Sequence, residues 1–120
     1  MLVAIKRQLN YISSLQYPDH LDRICSTIPK GINGDTKENH LLVAVDGVNG
    51  GDNWWIHKDF LVVDFEGFVR VEDAPISNRM WTKGCTGMIV KSPSGGYDIR
   101  IGMNYFPFDT QRYKVFALSI

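Results

Sequence analysis

Along the first 28 residues, apolar side chains recur at steps of three and four. Leu2, Ile5, Leu9 and Ile12 form the series, and Lys6, Arg7, Gln8 and Asn10 lie off it. That spacing puts one apolar stripe on a helix. The helix ends before Tyr17-Pro18, because the residue preceding a proline resists helical geometry. Asp19 then caps a second, shorter helix whose stripe is Leu21, Ile24 and Ile28, stopped by Pro29 and Gly31. Packing on a sheet accounts for both stripes.

From His40 onward the period shortens to two. "HLLVAVDG" (40–47) reads as a strand. "KDFLVVDF" (58–65) is apolar on both faces and reads as a central strand. "GFVRVED" (67–73) alternates and is expected to return as its hairpin partner through Glu66-Gly67. "TGMIVK" (86–91) adds another strand. "GGYDIRIGMNYF" (95–106) is the clearest, with Tyr97, Ile99, Ile101 and Met103 on one face and Asp98, Arg100, Gly102 and Asn104 on the other. Pro107 forces a break before "RYKVFALSI" (112–120) closes the chain. Helices segregated from strands along a chain argue α+β rather than α/β. The expected architecture is one α+β domain over residues 1–120. Two N-terminal helices (about 1–28) and a polar loop (29–39) precede a mostly antiparallel sheet of five or six strands (40–120). The helix pair covers one face of that sheet.

Composition adds limits. At 120 residues, with 44% apolar and 22% charged side chains, the chain is long enough to bury a core without staples. Its net charge is zero, so no basic tail points to nucleic acid or to an anionic membrane. Locally, residues 59–73 carry a net −4 and residues 79–114 a net +4, which strand pairing would neutralise across a sheet. Cys25 and Cys85 show no disulfide framework. Lys6, Arg7 and Gln8 stand where a signal peptide needs an apolar centre, and no apolar run reaches membrane-span length. A cytoplasmic protein with reduced thiols is the expectation.

"GVNGGDNWWIHKDF" (47–60) puts adjacent tryptophans after a glycine-rich loop. A phosphate cradle needs such a loop to open a helix N-terminus, whereas this one enters a strand. Neighbours on a strand face opposite ways. At most one of Trp54 and Trp55 then fits the core, and the other belongs at a rim, where Trp suits a binding hot spot. His20, His40 and His57 are scattered without metal-ligand spacing, and Asp46, Asp52, Asp59 and Asp64 lack the spacing of a calcium loop.

"MWTKGCTGM" (80–88) is the most enzyme-like stretch. Thr82, Gly84 and Cys85 resemble the Ser/Thr-x-Gly-Cys nucleophile turn of the L,D-transpeptidase family, which implies a Cys85 thiolate with an upstream histidine as base. The stretch departs from that family where Thr86-Gly87 replaces a hydrophobic residue and an arginine, and where His57 is followed by lysine rather than glycine. The competing reading of Cys85 is a small hydrophobe in a glycine-flanked turn. Arg100, Tyr105, Phe106, Phe108, Arg112 and Tyr113 interleave bases with aromatics, a composition that stacks unpaired nucleobases. The absence of RNP-type motifs and the neutral charge argue against nucleic acid.

The sequence therefore reads as a non-enzymatic cytoplasmic protein that occupies a protein partner's surface. By size and lack of a catalytic set it is comparable, as an analogy, with immunity proteins and phage-encoded inhibitors. The expected partner surface comprises Trp54, Trp55, Asp59, Glu66, Trp81, Phe106 and Phe108. The alternative is a small anionic ligand or nucleotide held by Arg79, Lys83, Arg100 and Asn104, at a homo-oligomer interface. A lower alternative is a Cys85-dependent enzyme. Under the first reading no catalytic residue, metal or cofactor is expected, and neither nucleic acid nor membrane is a partner.

Overall fold

The computed structural model describes residues 1–6, 20–31, 33–45, 53–74 and 84–118. They form ten strands: β1 (Leu2–Ile5), β2 (Ile24–Ile28), β3 (His40–Ala44), β4 (Asn53–His57), β5 (Leu61–Val63), β6 (Gly67–Asp73), β7 (Thr86–Lys91), β8 (Tyr97–Ile101), β9 (Asn104–Pro107) and β10 (Lys114–Ala117). Two five-stranded antiparallel sheets result. The first runs β4-β3-β2-β1-β5 and the second β10-β6-β7-β8-β9.

The expected N-terminal helices are replaced by strands, and the α+β reading gives way to an all-β one. Among the described residues there is no α-helix, and a 3-10 turn, Lys58–Phe60, joins β4 to β5. The reason lies in β1. All four of its residues are buried. A strand buried on both faces shows no alternation, so Leu2 and Ile5 match helical spacing only by coincidence. Leu9 and Ile12 lie outside the described residues. In the second stripe, Ile24 and Ile28 bound the segment ICSTI, whose β-branched residues favour a pleated surface. It forms β2 and pairs antiparallel with β1, placing Val3 opposite Cys25.

Two further expectations change. "KDFLVVDF" becomes the 3-10 turn and β5, which lies at an edge of the first sheet and pairs with β1 rather than with β6. Between β5 and β6 the chain crosses from one sheet to the other, through left-handed Asp64 and through Gly67 at φ +145°. "GGYDIRIGMNYF" is not one strand but a hairpin, β8 and β9, turning at Gly102-Met103. Gly102 has φ +61°, which suits glycine at the first position of a two-residue hairpin turn. Met103 is consequently 93% exposed instead of sharing the face of Ile99 and Ile101.

The sheets share one core. Leu2, Ala4 and Ile24 from the first meet Val69, Val71, Ile89, Ile99, Ile101, Val115 and Ala117 from the second, with Phe65 and Tyr113 at the margins. A second cluster, Val3, Ile5, Cys25, Val43, Val45, Ile56 and Leu61, occupies the opposite face of the first sheet. A seam joins the sheets along β10. Arg23 bridges to Phe116, the Ala117 N–H donates to the Asp22 carbonyl at 2.7 Å, and the Ser26 and Thr110 hydroxyls bond at 2.6 Å.

Gly87 tests how tightly this core is fitted. A Cβ there would stand 3.0 Å from Cδ1 and Cγ1 of Ile99 and 3.2 Å from the Arg100 carbonyl oxygen. Gly87→Ala is expected to cost about 1–3 kcal/mol through overpacking. In a double-mutant cycle read by urea unfolding, Ile99→Ala should reduce that cost, since it removes two of the three contacts. Tyr113 supplies a pH-dependent test. Burial raises its phenol above the usual 10.0, with Arg112 lowering and Asp109 raising it by lesser amounts. The folded pKa exceeds the unfolded one. The resulting stability is therefore complete below the unfolded value and lost as pH rises through the folded one. Tyr113→Phe should flatten the fall of unfolding free energy in that alkaline window.

Candidate interaction face

The second sheet buries one face only, and strand alternation decides what the other presents. In β6, Val69 and Val71 point into the core, leaving Phe68, Arg70 and Glu72 outward. In β7 and β8, Ile89, Ile99 and Ile101 point inward, leaving Met88, Val90, Asp98 and Arg100 outward. Phe106 turns in from β9, so Tyr105 and Pro107 turn out, and Phe116 turns out from β10.

The register orders these outward side chains into rows. Phe68 lies opposite Met88, Met88 opposite Arg100, and Arg100 opposite Tyr105. The Leu118 N–H donates to the Phe68 carbonyl at 3.0 Å, extending the row across the whole sheet. Phe116, Arg70 and Thr86 form a second row, and Val90, Asp98 and Pro107 a third. Leu118, Phe68 and Tyr105 are 52%, 54% and 59% exposed. The face is therefore aromatic and open to solvent.

Basic and acidic side chains share it, and Arg70 and Glu72 form an ion pair. The Arg70 guanidinium sits 5.2 Å from the Phe116 ring centroid and pairs with Glu72. The Lys114 ammonium approaches the same ring at 5.9 Å, and Lys114 lies opposite Asp73. Here the acidic and basic segments of the chain meet. Arg100 reaches Met88 Sδ at 3.8 Å and shares its strand face with Asp98. Beside Tyr105 a cavity of about 490 Å³ opens, lined by Val90, Lys91, Pro93, Asp98 and Tyr105. It is roughly the size of a small ligand pocket.

The residues singled out from sequence do not gather here. Trp54 packs half-buried on the second core cluster, its ring edge-on to His20 at 5.2 Å. Trp55 turns to the other face of β4, opposite Leu42. Asp59 donates its backbone N–H to His57 Nδ1 at 3.0 Å. Exposed Glu66 accepts the Lys91 N–H at 3.3 Å. Phe106 and Phe108 pack against the first core, Phe108 lying 5.4 Å from the Tyr113 ring. Of the alternative anion site, Arg100 stands on the outward face and Asn104 lies opposite Ile101 at the hairpin turn. Trp81, Arg79 and Lys83 fall outside the described residues. Cys85 is a half-buried thiol packed on the first core and Cys25 is buried, and neither is in a disulfide.

Sequence reasoning missed Phe68, Met88 and Phe116. The available signal was an aromatic on the polar phase of "GFVRVED", in step with Arg70 and Glu72. It also missed that His40 and His57 lie directly opposite across β3 and β4, their rings 4.9 Å apart. Among the described residues there is no cluster of three or more metal-ligating side chains, and no helix long and apolar enough to cross a membrane. The structure thus defines a two-sheet all-β protein with one open aromatic sheet face. Comparison of the chain with protein-family models, with curated proteins and with solved structures finds no match.

Packing separates the two sets of aromatics experimentally. Trp54→Ala is expected to destabilise by roughly 2–4 kcal/mol, somewhat below a fully buried aromatic. Phe68→Ala on the open face should stay within about 0.5 kcal/mol, as surface substitutions do. Chemical denaturation of the two variants measures both.

Proposed function

We propose that this chain is a non-enzymatic binding protein that acts by occupying the surface of a protein partner, and that it does so with the outward face of the second sheet. One observation carries the reading: Phe68 and Tyr105 stand more than half exposed in a single cross-strand row with Leu118, Met88 and Arg100. Aromatic residues, methionine and arginine are the types enriched where proteins associate. The cavity beside Tyr105 offers a recess for an anchoring side chain from the partner, the arrangement in which hot spots concentrate. The matched charges argue against a polyanion. Arg70 is engaged by Glu72, and Arg100 shares its face with Asp98, so the face has little of the net positive potential that nucleic acid binding uses.

Affinity capture from native lysate, run with wild type and with Phe68→Ala/Tyr105→Ala, tests the assignment. The double variant should retain the wild-type melting temperature and lose its captured protein. Once the partner is in hand, each single substitution should weaken binding by about 2 kcal/mol, roughly 30-fold. Undiminished capture by the folded double variant would remove the face from consideration.

A further inference from the structure

A second concave site lies on the first sheet, on the side of β4 that Trp55 faces. It is a cavity of about 350 Å³ lined by Gly31, Asn33, Asp35, Leu42, Asn53 and Trp55. Leu42 and Trp55 are cross-strand partners and supply its apolar wall. The loop after β2 supplies the polar one. That loop is closed by two backbone bonds, from the Gly31 N–H to the Asp35 carbonyl and from the Gly34 N–H to the Gly31 carbonyl, each 2.9 Å. A Cβ on Gly31 would stand 3.4 Å from Trp55 Cζ2 and from Asp35 Cβ. The loop backbone at Gly31 thus lies beside the indole edge, close enough that a Cβ there would be in van der Waals contact with it. Trp55 therefore stands beside that loop and across from Leu42.

Asn33, Asp35 and Asn53 are exposed, and within the described residues none of their side chains is engaged in a hydrogen bond or ion pair. Three unengaged polar side chains line the cavity together with one indole. We propose that this cavity is a carbohydrate site that takes one neutral pyranose ring. A hydroxyl both donates and accepts. Two amides and one carboxylate answer it with donors and acceptors together, and a carboxylate can accept from two neighbouring hydroxyls. The polarised C–H groups on one side of a pyranose suit the negative face of an indole. Competing ligand classes fit less well. No arginine or lysine lines the cavity, and Asp35 repels an anion such as a nucleotide phosphate. A simple ammonium would use Asp35 and the ring but leave the amide donors of Asn33 and Asn53 unanswered. The site is separate from the sheet face proposed above, and either can fail without the other.

The test is an NMR titration of the ¹⁵N-labelled chain with methyl glycosides of glucose, galactose, mannose and N-acetylglucosamine, with glycerol and tetramethylammonium as controls. At least one glycoside should give saturable, millimolar shifts of the Trp55 indole N–H and of the Asn33 and Asn53 amides, and glycerol should not. Asn33→Ala and Asp35→Ala alter only exposed loop side chains, so the fold survives them. Each should weaken that binding by about tenfold. Trp55→Ala should abolish it. If Trp55→Ala unfolds the chain, the two loop variants decide the matter. The proposal is overturned if no glycoside saturates, if glycerol reproduces the shifts, if the loop variants bind as well as wild type, or if tetramethylammonium is preferred.

Discussion

The fold depends on a four-residue strand being buried from both sides. Leu2 and Ala4 of β1 enter the core between the sheets, while Val3 and Ile5 enter the cluster on the opposite face. Each turn of the pleat therefore ties one hydrophobic cluster to the other. The first sheet must be covered on both faces wherever β1 and β2 run, and Val3 and Cys25 are accordingly at or near full burial. The second sheet has no such obligation. It spends one face on the shared core and keeps the other in water, where antiparallel sheets are stable. The first sheet is therefore covered on both faces at β1, whereas the second leaves one whole face open to solvent.

That same constraint decides what was legible in the sequence. Strands with one wet face announced themselves by alternation: "GFVRVED", "TGMIVK" and the first half of "GGYDIRIGMNYF" became β6, β7 and β8. The strands that failed to announce themselves were those buried on both faces or flanked by ambiguous spacing. MLVAI carries no period of two, and two of its residues fall at helical spacing by chance. The split at Gly102-Met103 was hidden because apolar Met103 continues the odd-numbered series Tyr97, Ile99 and Ile101 into the turn, whereas beyond it Phe106 is the residue that faces the core. Site residues fared differently. Sequence drew attention to the tryptophans because they are rare and adjacent, but burial engages Trp54 in packing and sends Trp55 to another face. Phe68 and Phe116 carry no motif. Their significance arises from register, which places Phe68 opposite Met88 and Phe116 opposite Arg70, and register is a property of the pairing rather than of any one segment.

The seam along β10 explains why an exposed aromatic face is tolerable. Open sheets invite pairing through their edges, where unpaired backbone groups await another strand. Here the outer side of β10 is taken by the chain itself, through the Arg23 bridge and the Ala117 to Asp22 bond. At the opposite edge β9 is four residues long and ends in Pro107, which has no N–H to offer. Growth by strand addition is thus discouraged at both ends of the second sheet. Under the proposed function, a partner would meet its side chains instead of extending its backbone. The spacing of Phe68, Met88, Arg100 and Tyr105 is set by strands about 4.8 Å apart, with Asp98 in the next row on one side and Glu72 beyond Arg70 on the other. Blunted edges thus leave side-chain contact, which selects by shape and charge, as the route by which the proposed function would use this face.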